Sequence, residues 1–160
     1  MNSSPENPID LMELPVGATV ILPTGDYQIL AVSDYDYGVD GKSTEYDVTD
    51  SIGRPHFLEI EWDEGEFLLY LSQEIEVPDA AIQKALSGKR IAYQGGEYTL
   101  DATYRGQMRN ADTNNQWVAV QCHSFYSGSK FLNIELLRGD VNRVYAGNDL
   151  TTDDIIEIRS

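Results

Sequence analysis

The stretch Asp34–Gly41 contains residue types that can bind a cation. It reads Asp-Tyr-Asp-Tyr-Gly-Val-Asp-Gly, and its glycines predict a loop between two strands. Spaced carboxylates in a loop are ligands that calcium prefers. With Asp36 as the first position of a calcium loop, Asp40 is the fifth and Asp47 the twelfth. Gly38 then occupies the third position, where an oxygen ligand is needed, so the pattern favours an Asx-rich turn and we expect no metal.

A second group of acids lies in a predicted hairpin that turns at Asp63-Glu64-Gly65. Glu59 and Glu61 share one face of a strand, because side chains two residues apart point the same way. Paired carboxylates can serve as general acid and base in glycoside chemistry. Because the alternate residues Leu58, Ile60 and Trp62 are apolar, the alternation predicts instead a half-buried strand whose acidic face is solvated.

Cysteine and histidine chemistry has little support. Cys122 and His123 are adjacent in a predicted strand and point to opposite faces, so they cannot pair with each other as nucleophile and base. His56 remains the other candidate neighbour of Cys122. One cysteine and two histidines without short spacing make a zinc site improbable. No phosphate-binding glycine loop, serine triad or metalloprotease motif occurs, so we expect a protein that is not an enzyme and has no cofactor.

The residues that suit recognition of a partner differ between the two ends of the chain. The predicted loop Ser33–Ser43 combines carboxylates with tyrosines, which can contact a basic protein through hydrogen bonds and cation–π interactions. The predicted loops of the C-terminal part carry arginines and aromatic residues instead. The partner-binding candidates are Asp34, Tyr35, Asp36, Tyr37, Asp40, Arg105, Arg109, Phe125 and Tyr126.

The bulk composition narrows the partners. A formal net charge of −16 argues against nucleic acid, whose phosphates need Lys and Arg, and against an anionic membrane surface. It is compatible with a basic protein, with polyamines or calcium, and with solubility alone. The single cysteine favours a reducing compartment, and residues 1–8 do not resemble a signal peptide. We therefore expect a cytoplasmic protein that does not insert into membranes.

Turn signals at frequent intervals separate short alternating segments, which is typical of β structure. We predict an all-β, mainly antiparallel fold of two tandem small units, each resembling a β-barrel or sandwich, joined by one short helix. Residues 148–160 fit either a helical turn or an edge strand. The predicted divisions are an N-terminal tail at 1–13, a first β unit at 14–77, a linker helix at 78–88 and a second β unit at 89–160.

The two predicted units repeat one pattern. Gly17, Gly25 and Tyr27 recur 71 positions later as Gly88, Gly96 and Tyr98, and Trp117 lies 71 after Tyr46. The match resumes at offset 74 and closes at offset 75, a drift that loop insertions produce. Such a repeat indicates an internal duplication. The later matches are Leu58 with Leu132, Ile60 with Ile134, Glu61 with Glu135, and Leu69-Tyr70 with Val144-Tyr145.

The order of these motifs resembles an uncharacterised bacterial family, domain of unknown function 4178, in two copies at about residues 14–75 and 86–158. The resemblance implies a β-rich bacterial cytoplasmic protein and supplies no catalytic residue. The residues that carry it are Gly17, Gly25, Tyr27, Glu45, Tyr46, Leu58, Ile60 and Tyr70, then Gly88, Gly96, Tyr98, Trp117, Leu132, Ile134 and Tyr145.

Two functions remain open from the sequence. The first is a non-enzymatic adaptor that binds another protein through the acid-tyrosine loop. The alternative is a sensor that binds a small cation, a polyamine or calcium, through acidic loops around Asp34, Asp36, Asp40 and Asp47. The oligomeric state is not predicted.

Overall fold

The computed structural model describes residues 10–160, which form eleven β-strands and one α-helix. Short 3-10 turns at Leu11–Glu13, Gly38–Asp40 and Thr152–Asp154 complete the regular structure. Every strand pair is antiparallel. The elements are β1 (Thr19–Leu22), β2 (Gly25–Asp36), β3 (Lys42–Thr49), β4 (Pro55–Asp63), β5 (Glu66–Ile75), α1 (Asp79–Gly88), β6 (Arg90–Tyr93), β7 (Gly96–Arg109), β8 (Val118–Ser127), β9 (Lys130–Leu137), β10 (Asp140–Leu150) and β11 (Glu157–Arg159).

Tight turns connect the hairpins where the sequence predicts them. At the β4–β5 turn Glu64 and Gly65 both have positive φ, and at the β9–β10 turn Arg138 and Gly139 do the same. Two consecutive positive φ values define the type I′ turn, whose twist matches that of antiparallel strands. The turn residues therefore fix the register of each hairpin.

The strands form one sheet that closes on itself. The order is β11-β1-β2-β3-β4-β5-β10-β9-β8-β7-β6, and an additional β2–β7 pairing joins β2 through β5 and β7 through β10 into a ring of eight strands. We call β1–β5 the first half and β6–β10 the second half. The halves meet at two seams, β5–β10 and β2–β7, and each half runs through its five strands in the same order.

Each half has its own apolar core on one face of its strands. In the first half Leu58 and Ile60 of β4 are fully buried among residues of β1, β2 and the turn at Leu11–Glu13. In the second half Leu132 and Ile134 of β9 are buried against α1 and β6. Because strand side chains alternate, the opposite faces of β4 and β9 point into the ring. The interior of the ring is therefore lined by the other side chains of these strands, most of which are polar.

The predicted all-β antiparallel class is confirmed, and a helix does occupy the join between the halves. The two units are not separate bodies, because they share one sheet through both seams. Residues 148–160 contain both open alternatives, a 3-10 turn and a short strand. That strand, β11, pairs with β1 of the first half, although the sequence division places it in the second unit. Residues 1–9 of the predicted tail lie outside the described residues.

Two loop predictions and one repeat match need correction. Residues 33–36 and 105–109 are not loops but the ends of β2 and β7, which pair with each other. Trp117 does not correspond to Tyr46. Tyr46 pairs with Leu58, and the residue that pairs with Leu132 is Phe125. An insertion after β7 shifts the register, so counting 71 positions leads to the wrong residue.

No helix within residues 10–160 has the length and apolar character that crossing a membrane requires.

Glycines lie at the points where the two halves come closest. A Cβ at Gly147 of β10 would overlap the carbonyl group of Leu71 and lie 2.7 Å from the Cα of Ser72, across the β5–β10 seam. A Cβ at Gly106 of β7 would overlap the carbonyl oxygen of Asp36 and lie 2.8 Å from the Cα of Tyr37, across the β2–β7 seam. Any side chain at either position must push the paired strands apart.

We therefore expect Gly147→Ala and Gly106→Ala each to lower the free energy of unfolding by at least about 1–3 kcal/mol, the usual cost of overpacking. Gly88→Ala is the matched control, because nothing lies within 4 Å of its Cβ position and its φ is not positive. Urea denaturation measures all three. Equal stability of the Gly147 variant and the Gly88 variant would contradict the close seam.

Candidate functional site

One arginine is buried inside the ring. The Nη2 of Arg143 on β10 donates to both carboxylate oxygens of Glu45 at 2.6 Å, and its Nε donates to Glu135 at 3.1 Å. The hydroxyl of Tyr35 donates to Glu135 at 2.7 Å, and Asn142 donates to the other oxygen of Glu135 at 2.8 Å. Glu45 and Tyr35 belong to the first half, whereas Glu135 and Arg143 belong to the second. The network therefore ties the halves together.

Aromatic rings enclose the guanidinium. The Cζ of Arg143 lies 4.2 Å from the ring centre of Phe57 and 4.5 Å from that of Tyr145. The side chains of Arg143, Glu45 and Glu135 are all at least nine-tenths buried. Burial raises the pKa of Glu45, and Arg143 opposes that shift. The single positive charge of Arg143 thus compensates two buried carboxyl groups, and Arg143 does not neutralise the other acids in the ring.

A cavity of about 230 Å³ opens at the end of the ring that carries the β2–β3 and β4–β5 turns. Strands of both halves supply its wall, so the cavity exists only where the halves meet. Its lining residues are Tyr37, Asp40, Gly41, Lys42, Ser43, Glu59, Glu61, Tyr70, Asp101, Tyr104, Cys122, Ser124, Tyr126, Phe131 and Asn133.

Two carboxyl groups of β4 line this cavity. Burial, with Glu45 and Glu61 adding to it, raises the pKa of Glu59 to about 8, and burial raises the pKa of Glu61 as well. Glu59 keeps some accessible surface, but that surface faces the enclosed cavity, which solvates charge less well than bulk water. Ser43 donates to Glu59 at 3.3 Å, and Tyr70 approaches Glu61 at 3.5 Å. Within residues 10–160 neither acid forms an ion pair.

Asn133 of β9 contributes an unused hydrogen-bond acceptor to the same wall. Its side chain is nine-tenths buried, and its Oδ1 has no hydrogen-bond partner among residues 10–160. Such orphaned buried acceptors are rare and each calls for an explanation, such as a ligand that supplies the missing donor. The register places Asn133 opposite Tyr145 and Ser124, on the face of β9 that points into the ring.

Five aromatic side chains also line the cavity. The rings of Tyr70 and Phe131 meet edge to face with centres 5.9 Å apart, and Tyr126 lies 6.2 Å from Phe131. Tyr37 and Tyr104 lie 5.8 Å apart across the β2–β7 seam. The faces of aromatic rings carry partial negative charge and attract cations. The cavity thus combines acceptors, carboxyl groups and π faces, and its one basic side chain, Lys42, is exposed at the mouth.

The structure brings some predicted partner-binding residues together, but as a seam and not as an exposed loop. Asp34 forms an ion pair with Arg109 at 3.2 Å. This pair joins the acidic candidates of the first half to the arginine candidates of the second. Tyr35 is buried in the Arg143 network, and Phe125 is fully buried in the second core, so neither can contact a partner. Of the other candidates, Tyr37, Asp40 and Tyr126 line the cavity, Arg105 is exposed, and Asp36 accepts a hydrogen bond from the Gly38 N–H at 2.9 Å.

The calcium candidates Asp36, Asp40 and Asp47 do not converge. Asp40 lies at the mouth of the first cavity, whereas Asp47 lines a second cavity of about 210 Å³ at the opposite end of the ring. Arg143, Glu45 and Glu135 also lie in the wall of that second cavity. In the described part of the chain no three side chains of His, Cys, Asp or Glu group as metal ligands would.

Cys122 and His123 point to opposite faces of β8, as predicted. Cys122 lines the cavity, and burial raises the pKa of its thiol, which keeps it protonated and unreactive. His123 contacts Thr103 and Gln121, and burial lowers its pKa. His56, the other candidate neighbour of Cys122, is buried and forms a hydrogen bond with Asp50 at 3.0 Å instead.

The prediction that Glu59 and Glu61 lie on a solvated outer face is wrong. Both faces of β4 are covered, one by the first core and one by the second half. Arg143, Asn133 and Tyr70 are not among the site residues predicted from the sequence. The repeat contains one signal that could have identified Arg143. It matches Glu61 with Glu135, and in the structure Arg143 faces Glu135 whereas Leu68 faces Glu61.

Arg143→Met should lower the free energy of unfolding by about 3–5 kcal/mol, because it leaves two buried carboxyl groups without a cation. Adding Glu45→Gln and Glu135→Gln should restore most of that loss. Arg109→Met is the control, since its exposed pair with Asp34 should contribute less than about 1 kcal/mol. Denaturant unfolding at neutral pH measures the series. A loss for Arg143→Met no larger than for Arg109→Met would show that the network is not required.

Of the comparisons with known proteins, one found a match. No curated protein and no solved structure matches the chain. One family model does match, over residues 15–152, and that single match includes both halves and the whole cavity. The chain therefore belongs to the family described as domain of unknown function DUF4178.

Proposed function

We propose that the protein is a non-catalytic receptor for a small organic cation, which binds in the cavity of about 230 Å³ between the halves. The observation that carries the proposal is the composition of the wall: Glu59 and Glu61 have no ion-pair partner among residues 10–160, and aromatic rings surround them. A cation supplies the missing positive charge, and its carbon atoms replace water against the rings.

The size and chemistry of the wall favour an organic cation over calcium. Calcium takes 6–8 oxygen ligands. Among residues 10–160 no three side chains of His, Cys, Asp or Glu group as metal ligands would, whereas five of the cavity's lining residues are aromatic. Drug-sized ligands usually occupy about 300–1,000 Å³, so a smaller molecule suits this cavity. The acidic protein as a whole, with a net charge of −16, attracts cations toward the mouth.

The raised pKa of Glu59 couples binding to pH. In the empty protein below about pH 8 Glu59 holds a proton, and that proton must leave before the carboxylate can pair with a cation. Protons therefore compete with the ligand, and affinity rises with pH until Glu59 is ionised. Alkylammonium groups stay charged to about pH 10, so the ligand itself does not limit this range.

Two broader proposals accompany the function. The halves arose by duplication of a five-strand unit, which is supported by their identical strand order and by hairpin turns at Gly65 and Gly139 that are 74 positions apart. The protein acts in the cytoplasm, which is consistent with a single, buried and unpaired cysteine.

Calorimetric titration tests the receptor proposal with alkylammonium and quaternary ammonium salts and with calcium chloride, at up to about 10 mM. We expect at least one organic cation to bind and Glu59→Gln to weaken it about tenfold or more. Glu74→Gln on β5 makes the same charge change at an exposed position away from the cavity and should leave binding unchanged. Absence of heat and of thermal stabilisation for all organic cations would end the proposal.

The pH dependence supplies a separate check. The affinity of the wild type for an organic cation should rise by up to tenfold per pH unit from pH 6 and level off near pH 8. Glu59→Gln should flatten that rise, because a glutamine exchanges no proton. An affinity that is constant from pH 6 to pH 9 in the wild type would exclude Glu59 as the competing group.

A second candidate function is a protein-binding adaptor for a basic partner. The observation in its favour is that Val39, on the β2–β3 turn, and Trp62, one residue before the end of β4, are both exposed. The pairing of Ser43 with Glu61 brings these two segments next to each other. Exposed aromatic residues beside acids are typical of binding hot spots.

Affinity capture with the wild type and with a Trp62→Ala, Val39→Ser variant tests the adaptor. We expect a specific protein to be retained by the wild type only and to bind again as a purified component. Trp117→Ala, which removes an exposed tryptophan elsewhere, is the control. Retention of the same protein by the Trp62→Ala, Val39→Ser variant as well as the wild type would rule out this surface as its binding site.

A further inference from the structure

We infer that the head group of the ligand is a primary ammonium, bound by Glu59 and the side-chain carbonyl of Asn133; this inference rests on the proposed function. The two residues come from different halves, Glu59 from β4 and Asn133 from β9. Neither the adaptor hypothesis nor the acidic loops predicted from the sequence involve Asn133. The site therefore differs in place and in ligand chemistry from the calcium pattern around Asp36.

The argument begins with the hydrogen-bonding needs of Asn133. Its Oδ1 is buried and lacks a donor among residues 10–160, and Asn133 is one of the residues in the wall of a polar cavity. A buried acceptor without a donor is unfavourable, so a ligand that donates to it should bind more tightly than one that cannot. A quaternary ammonium has no N–H and cannot donate. A primary ammonium has three N–H donors and can satisfy Asn133 and a carboxylate at once.

Of the two carboxyl groups, Glu59 is better placed than Glu61 to pair with the ammonium head group. Glu59 lies deeper in the ring, next to Glu45, whereas Glu61 is at the rim beside Asp63. The two carboxyl groups are about 7 Å apart along the strand, from the rise of about 3.3 Å per residue. A single ammonium nitrogen therefore pairs with the inner carboxylate, and the outer carboxylate is left for a second charge or for water.

The carbon chain of the ligand has a defined path. Tyr70 of β5 pairs with Glu59 across the strands, and Phe131 lies two residues before Asn133 on β9. These two rings are in contact and flank the acceptors on the way to the mouth. An unbranched alkyl chain that leaves the ammonium would lie against the cavity side of these rings and bury apolar surface. The ligand class is thus a primary alkylamine, either free or as the side chain of a lysine.

A matched pair of probes tests the head group. 1-Butylamine and butyltrimethylammonium carry the same chain and charge, but only the first can donate hydrogen bonds. Titration calorimetry on the full chain at pH 8 should give an affinity for 1-butylamine about 10-fold or more above that for butyltrimethylammonium. Nα-acetyl-lysine methylamide presents the same ammonium on a peptide: binding as tight as that of 1-butylamine supports a lysine source, and weaker binding supports a free amine.

Variants at Asn133 separate recognition from folding. Asn133→Leu should weaken 1-butylamine about 10-fold and leave butyltrimethylammonium unchanged, while its melting temperature stays the same or rises because an unpaired buried amide is lost. Asn133→Asp, which keeps an acceptor, should restore binding of 1-butylamine. Equal affinity for both probes, or no effect of Asn133→Leu on 1-butylamine, overturns the primary ammonium and leaves the receptor proposal intact. Failure of every organic cation to bind overturns both.

Discussion

Inside this protein one guanidinium has to serve two buried carboxylates, and much of the architecture follows from that constraint. Arg143 bonds Glu45 of one half and Glu135 of the other, and two aromatic rings exclude water from it. An isolated charge in such a place is costly, so the strands that carry these groups must stay in register. The seams provide that register, since β5 and β10 and likewise β2 and β7 pair with glycines at the points of closest approach.

The same constraint explains why the interior is polar while the cores lie on the other faces of the strands. Each half buries its apolar residues locally, around Leu58 in one and Leu132 in the other. What the halves share is an interior of carboxyl groups, hydroxyl groups and aromatic rings. A polar interior of this kind adds little to stability unless its members are satisfied. Among residues 10–160 the buried Oδ1 of Asn133 has no donor and the carboxyl group of Glu59 has no ion-pair partner, and the proposed ligand would supply both.

Local pattern predicted the elements well and their assembly less well. The hairpin turns, the helix before Gly88 and the antiparallel class follow from turn residues and alternation, which act within a few residues. Alternation along β4 also showed that Glu59 and Leu58 face opposite sides. It could not show that the second half covers the acidic side, because that contact joins residues about 70 apart in sequence. For the same reason local pattern predicts a loop for the acid-tyrosine stretch, although its partner strand, β7, lies in the other half.

The difference between the halves is what gives the two ends of the ring different chemistry. Glu61 and Glu135 occupy matching positions before their hairpin turns, but Leu68 faces Glu61 and Arg143 faces Glu135. At one end, therefore, the protein supplies its own cation, and the carboxylates there are already paired. At the other end Leu68 stands where the matching cation would be, and burial raises the pKa of the neighbouring Glu59. A proton neutralises that carboxyl but gives Asn133 no donor. The ligand that we propose, with a positive charge and N–H groups, would do at this end what Arg143 does at the other.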